Sequence, residues 1–289
     1  MEQPLVVGVD GSEQSLWAVD WAAAEAALRG LPLRIVYASL WEHYEGAAYA
    51  YSAPDASDRA LADAILGAAG ERAHSREPGV GTTAVVLPQE PTDALLRESE
   101  LASAVVVGSR GRGSIKGMLL GSVGLGVASW ARCPVVVVRG ERVAVDGGHE
   151  RILLGVGNPD RNSTAVAFAC QEAAIRGSVL DAVRAWRGPF GGRGGLSASD
   201  ETAGDPEGKA AAELDEALSA ARNGHPEVQI RPVTVEGHTH RVLVDRSAAA
   251  DLLVVGARRN KGLGLQLSRT GHAVLHHAAC PVAVVPQRG

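Results

Sequence analysis

Aromatic side chains are scarce in this sequence: Phe, Tyr and Trp make up 4% of the chain, whereas hydrophobic residues as a whole make up 46%. The core of a 289-residue chain must therefore be built from Ala, Val and Leu, a mix that suits helices packed on buried parallel strands. Cysteine is nearly missing as well. Cys133, Cys170 and Cys280 form an odd set without C-x-x-C spacing, which argues against a disulfide framework and fits reduced thiols used as small apolar residues. Neither sign of charge dominates. The 28 Lys and Arg are interspersed with 33 Asp and Glu for a formal net charge of -5, so no nucleic-acid footprint is present. No apolar run approaches the roughly 18 residues of a membrane helix. The start, Met1-Glu2-Gln3-Pro4-Leu5, lacks the basic stretch of a secretory leader. The expectation is a cytoplasmic protein with neither a membrane nor a nucleic acid as partner.

What is present is regular alternation. Apolar β-branched runs read as strands at Leu5 to Val9, Leu33 to Ala38, Thr83 to Leu87, Val105 to Gly108 and Val135 to Val138. Between them, helical patterns run from Ser15 to Arg29, Asp58 to Ser75, Thr92 to Glu100 and Ser122 to Ala131, with Trp17 and Trp21 as core residues of the first; Trp41 to Ser57 is irregular. Such β-α alternation predicts a doubly wound parallel sheet, in which ligands lie beyond the carboxyl ends of the strands where the connections change direction.

The strand ending in Val105-Val106-Val107-Gly108 leads into Ser109-Arg110-Gly111, with Gly121-Ser122 following at a helix start, a spacing of G-x2-G-x9-G-[ST]. Glycines permit close backbone approach and positive φ, and a helix start adds unpaired N–H donors with partial positive charge, so the stretch suits a polyphosphate. It is not a P-loop, which needs Gly-Lys-[Ser/Thr] at the helix start, nor a Rossmann fingerprint, which would follow the first strand where the chain reads Asp10-Gly11-Ser12-Glu13. Arg110, Arg112 and Lys116 supply positive charge in the same loop, and Asp10 is placed to serve either as a turn residue or as a carboxylate near a metal.

The second half repeats the first. Gly155 follows Gly8, Gly256 follows Gly108 and Cys280 follows Cys133 at separations of 147, 148 and 147 residues. The chain divides into a domain of residues 1–139, a linker of residues 140–150 and a domain of residues 151–289. Each is expected to be a Rossmann-like α/β unit with a five-stranded parallel sheet flanked by helices. The apolar last strands, Val135 to Val138 and Val282 to Val285, are suited to edge pairing between domains or between chains.

Val-Gly-Val-Asp-Gly-Ser at residues 7–12, Val-Val-Gly-Ser-Arg-Gly-Arg-Gly at residues 106–113 with Gly121-Ser122 beyond, and Cys-Pro-Val-Val-Val-Val at residues 133–138 resemble the universal stress protein family. The duplication resembles its tandem-domain actinobacterial members. That resemblance implies an ATP-binding fold, frequent homodimerisation, an unidentified protein partner and a regulatory role in stress or dormancy. It places phosphates and ribose at Gly108, Gly111, Gly121 and Ser122, adenine near backbone groups of Ala38, and Asp10 beside the nucleotide and its Mg2+.

The halves differ at the motif. Arg259 replaces Gly111, Ser268 and Arg269 replace Gly121 and Ser122, Gly157 replaces Asp10, and the second loop is one residue shorter. Nucleotide is thus expected in the first half and a scaffold or partner surface in the second, where Arg258, Arg259 and Lys261 offer an alternative anion site. Gly188 to Gly208 reads as a linker, and His272, His276 and His277 read as structural or surface histidines. Two other readings stay open: a slow Mg-dependent ATPase, and an interaction protein that binds no nucleotide. No catalytic constellation is placed by the sequence.

Overall fold

The computed structural model describes residues 3–39, 56–111, 120–157, 163–188, 205–260 and 264–287, with only the backbone course given for residues 56–58, 259, 260 and 264–266. Residues 41–55 of the irregular stretch and residues 189–204 of the second glycine-rich stretch lie outside those described.

The first repeat runs β1 (Leu5–Val9), α1 (Glu13–Arg29), β2 (Leu33–Ala38), α2 (Ala56–Arg76), β3 (Thr82–Leu87), α3 (Pro91–Glu98), β4 (Ala104–Gly108), α4 (Ser122–Trp130) and β5 (Val135–Val138). A short helix, α5 (Arg142–Val145), occupies the connection. The second repeat follows with β6 (Arg151–Gly155), α6 (Ser163–Arg176), β7 (Val179–Trp186), α7 (Pro206–Gly224), β8 (Ile230–Glu236), α8 (Thr239–Ser247), β9 (Leu252–Asn260), β10 (Gly264–Gln266), α9 (Arg269–His277) and β11 (Val282–Gln287).

Both repeats wind the same way, and they share one sheet of order β3-β2-β1-β4-β5-β11-β9-β6-β7-β8, with β10 paired to β9 beside that path. Along that path the pairs within each repeat are parallel, as suits buried runs such as Val135–Val138, while β10 runs antiparallel to β9. The seam is antiparallel: Val282 faces Val137, Ala283 faces Val136 and Val284 faces Val135. Adding the 147-residue repeat to Val135, Val136 and Val137 returns Val282, Ala283 and Val284, so a pseudo-two-fold axis passes through the Val136–Ala283 pair. The two apolar last strands thus cover each other inside one chain.

Helices cover both faces. On one, α1, α2, α6 and α7 pack through Ala22, Ala26, Ile65, Ala169, Leu214 and Leu218 onto Val7, Val106, Leu154 and Val254. On the other, α3, α4, α8 and α9 pack through Leu95, Val127, Leu243 and Val274 onto Val105, Val137, Leu253 and Val284. Alanines on the helices allow close approach to valine-rich strands, which is how so few aromatic residues suffice.

The pseudo-axis also organises charge. Glu25 and Arg29 of α1 meet Glu172 and Arg176 of α6, each pair displaced from the other by the same 147 residues. Arg29 binds both glutamates, and so does Arg176, with the Arg176 Nε–Glu172 Oε2 contact at 3.1 Å. Arg29 lies 5.6 Å from the Phe168 ring and Arg176 5.4 Å from the Trp21 ring, again a matched pair.

Candidate functional site

The chain runs from β1 outward to β2 and β3 on one side, then returns to β4 and β5 on the other. The crevice between the carboxyl ends of β1 and β4 is the place where such sheets bind ligands. A cavity of about 380 Å³ opens there, within the range of roughly 300 to 1,000 Å³ usual for small-molecule sites. Asp10, Ala38, Gly108, Gly111, Gly121 and Ser122 all line it, joined by Val9, Ser15, Val36, Pro91, Leu95, Val107, Arg110, Val123 and Gly124. Arg112 and Lys116 lie outside the described residues.

Its two ends differ in chemistry. Toward β2 and α3 the wall is apolar, with Val36, Ala38, Pro91 and Leu95. Toward β4 and α4 it is glycine, backbone and the exposed Arg110, and Asp10 at the end of β1 stands between. The first wall suits a flat apolar ring and the second an anion.

Local interactions explain how each residue is held. Asp10 Oδ1 accepts from Ser12 N–H at 3.0 Å, which turns the chain after β1. Ser12 caps α1 by accepting from Ser15 N–H at 3.2 Å, so the start of that helix carries its own acceptor. The Gly121 N–H donates to the Ser109 carbonyl at 2.8 Å, bringing the two ends of the glycine loop together. At α4 the N-cap is Gly121, with φ -77 and ψ 158, and among the described residues no side chain caps the helix. The N–H groups at its first turn are therefore presented to the cavity by a cap without an acceptor.

Of the two roles expected of the motif glycines, positive φ and close backbone approach, only the second is found. Gly108, Gly111 and Gly121 do not have positive φ; among the described residues the glycines that do are Gly11, Gly30, Gly140, Gly147, Gly177 and Gly237. Close approach decides the matter. A Cβ on Gly108 would lie 2.8 Å from the Gln14 carbonyl carbon and oxygen, and one on Gly111 would lie 2.4 Å from Asp10 Oδ2. At Gly121 the nearest described atom would be 3.8 Å away, so none of the described residues forbids a side chain there.

The corresponding positions of the second repeat are built otherwise. Ser268 caps α9 with φ -65 and ψ 164, nearly the backbone conformation of Gly121, and its Oγ accepts from Gly271 N–H at 3.1 Å. The second helix start is thus closed by its own side chain. Around Gly157, which takes the place of Asp10, the Arg184 guanidinium donates to the Gly157 carbonyl and pairs with Glu213. Burial lowers the Arg184 pKa. Arg258 is exposed; nothing is described of the Arg259 side chain, and Lys261 lies outside the described residues.

Arg139, just past β5, donates to the Leu275 carbonyl of α9. Burial pulls its pKa down to about 10, with the nearby Cys280 thiol opposing that shift and Arg110 adding to it. Burial likewise pushes the thiols of Cys133 and Cys280 up to about 12, so these cysteines are packing residues and not nucleophiles. Trp21 is a core residue and Trp17 packs against the same cluster, as their helical spacing predicts. Among the described residues no group of three His, Cys, Asp or Glu is placed to hold a metal.

Sequence reasoning passed over Val36, Pro91 and Leu95, which form the apolar wall, because nothing in a lone apolar residue separates a cavity wall from a core. It also passed over the Glu25, Arg29, Glu172 and Arg176 cluster. There a signal exists: Glu and Arg four apart, repeated at the 147-residue period.

Parallel strands wound in both directions from β1, with helices on both faces, define a doubly wound α/β protein. The pattern of the universal stress protein family matches residues 1–139 and again 148–286, and the chain belongs to that family. A universal stress protein of Mycobacterium tuberculosis is 33% identical over 302 residues, covering 98% of this chain and 97% of its own. A second protein so named from the same organism is 31% identical over 290 residues, covering 97% and 95%. The crystal structure of a universal stress protein from Archaeoglobus fulgidus superposes with a TM-score of 0.71 at 18% identity, covering 99% of both chains, and so shares the fold.

Proposed function

We propose that the first repeat binds one adenine nucleotide, ATP, in the cavity between β1 and β4, and that the protein is a stress or dormancy regulator whose state follows nucleotide occupancy. Phosphates and ribose lie at Gly108, Gly111, Gly121 and Ser122, and the base lies against the apolar wall with backbone groups near Ala38 as its partners. Asp10 stands beside the phosphates. Mg2+ commonly arrives with its phosphates and takes only one or two carboxylates from the protein, which fits a single Asp10 better than a dedicated metal cage. When bound, the ion would offset phosphate charge.

The observation that carries this reading is the contrast between two equivalent helix starts. Gly121 leaves the first turn of α4 facing a cavity without a capping side chain, whereas Ser268 caps α9 itself. An anion at the first site would gain donors that no described side chain caps; at the second it would have to displace the Ser268 hydroxyl. Regulation follows if the nucleotide binds one conformational state better than another and so shifts their populations.

Nucleotide content per chain tests the reading directly. Freshly purified protein is denatured, the released nucleotide is identified by chromatography, and the measurement is repeated after loading with ATP and Mg2+. About one ATP per chain, lost in Gly121→Glu, is the expected result. Two per chain would mean that the second repeat binds by other chemistry, and none would make this an interaction protein. Many turnovers per minute abolished by Asp10→Ala would make it an ATPase.

A further inference from the structure

Beyond Gly256 the second repeat departs from the first. In the first repeat, β4 ends at Gly108; in the second, β9 continues as far as Asn260 and β10 returns antiparallel to it, with Gly264 opposite Asn260, Leu265 opposite Arg259 and Gln266 opposite Arg258. The extension is anchored in the main sheet, since β11 follows β9 to the Gln287–Arg258 pair. The described part of the segment that corresponds to the glycine loop thus forms two antiparallel strands, and the β10 backbone lies alongside α4 of the first repeat.

That helix is short, running only from Ser122 to Trp130, and its first turn lines the cavity. Within its own repeat it is held by β5 and by α3, where a Cβ on Gly126 would come within 2.7 Å of Thr92 Cγ2. Its third support comes from the other repeat. A second link crosses the same boundary nearby: Arg139 reaches the Leu275 carbonyl, and Arg110 of the cavity is close enough to influence its charge.

We propose that the hairpin formed by β9 and β10 is a positioning element for the first-repeat site, holding α4 so that the donors at Ser122 to Gly124 stay aimed into the cavity. Donors that bind an anion by geometry lose affinity when their helix wanders by a fraction of an ångström, so a support outside the cavity sets affinity without touching the ligand. The second repeat then does more than duplicate a fold: the segment that lost two motif glycines acts on the site that kept them. The effect on affinity rests on the nucleotide reading above, whereas the support of α4 does not.

The test uses the full chain and two variants. In one, residues 259–266 are replaced by Gly-Ser-Gly-Ser; in the other, Leu265→Pro places in β10 a residue that cannot donate to the ladder. Backbone hydrogen exchange is followed in the ligand-free protein, and ATP affinity is followed by calorimetry with Mg2+. At least tenfold faster exchange across α4 is expected, with β1 and α1 unchanged as a check on the fold. ATP affinity should fall at least tenfold. Exchange of α4 within twofold of wild type in both variants would overturn the proposal, as would faster exchange with unchanged affinity. Wild-type protein that binds no ATP would count against the nucleotide reading, and the exchange data alone would then decide whether the hairpin supports α4.

Discussion

Gly108 and Gly121 belong to one sequence motif but do different work. Gly108 lets β4 lie against the start of α1, where a Cβ would meet the Gln14 carbonyl group at 2.8 Å, and neither backbone can yield without shifting a strand or a helix. Gly108→Ala is therefore expected to destabilise the fold by about 1 to 3 kcal/mol, the usual cost of overpacking, measured by urea or thermal unfolding. Gly121 has no such neighbour, and its φ of -77 is open to any residue. Gly121→Ser should reproduce the arrangement at Ser268, capping α4 with a hydroxyl. Unfolding should then be unchanged or harder by up to about 1 kcal/mol, while ATP affinity falls at least tenfold. Equal affinity would place the anion elsewhere. Removal of the second cap by Ser268→Ala should cost about 1 kcal/mol and leave ATP binding at the first site within twofold.

Between α1 and α6 the important feature is a charge cluster and not a hydrophobic seam. Glu25 and Glu172 are almost fully buried, and each is bound by both arginines. Burial, reinforced by the charge of Glu172 and opposed by Arg176 and Arg29, raises the Glu25 pKa from 4.5 to about 7. A carboxyl that holds its proton more tightly when folded contributes stability in full below about pH 4.5 and loses it as the pH rises toward 7. Asp20 behaves in the opposite way. Burial alone would raise its pKa, but hydrogen bonds and charge from Arg72 and Arg142 hold it below 3.8, so its contribution is present above that pH and is lost in acid. Glu25→Gln removes only the first effect. Its melting temperature relative to wild type is expected to climb between pH 4.5 and 7 and then level off. Parallel curves for variant and wild type would show that Glu25 stays ionised throughout that range.

The whole chain is joined by a continuous sheet, the α1–α6 cluster and the docked connection. Arg142 of α5 reaches Asp20 at 2.8 Å and lies 5.6 Å from the Trp17 ring, so the connecting segment is fastened to the first repeat. The Gly140 backbone runs so close to Ala279 that a Cβ would fall 1.9 Å from its carbonyl oxygen, and Glu141 N–H donates to the same oxygen at 3.0 Å. The two repeats should therefore unfold as one unit. Urea transitions followed by tryptophan fluorescence and by far-ultraviolet circular dichroism are expected to coincide. Two separated steps would show that the seam contributes less than either core.

Strands and helices were legible in the residue order because each is written in short-range periodicity. Leu5–Val9, Leu33–Ala38 and Val135–Val138 fall where their apolar runs place them, and α4 begins at Ser122. The duplication was equally plain, and the six residues singled out for a ligand all reach one cavity, since strand ends in a doubly wound sheet converge at the switch point. The purpose of each glycine was not legible: whether it serves a turn, a close contact or a ligand depends on which atoms of distant segments lie opposite its missing Cβ. Nor was it legible whether Val135–Val138 pairs with the other repeat or with another chain, that four charges meet at the pseudo-axis, or that β10 of the second repeat lies against α4. Periodicity records which face of an element is buried. Which other element buries it is decided by contacts between residues more than a hundred positions apart, and those exist only once the chain has folded.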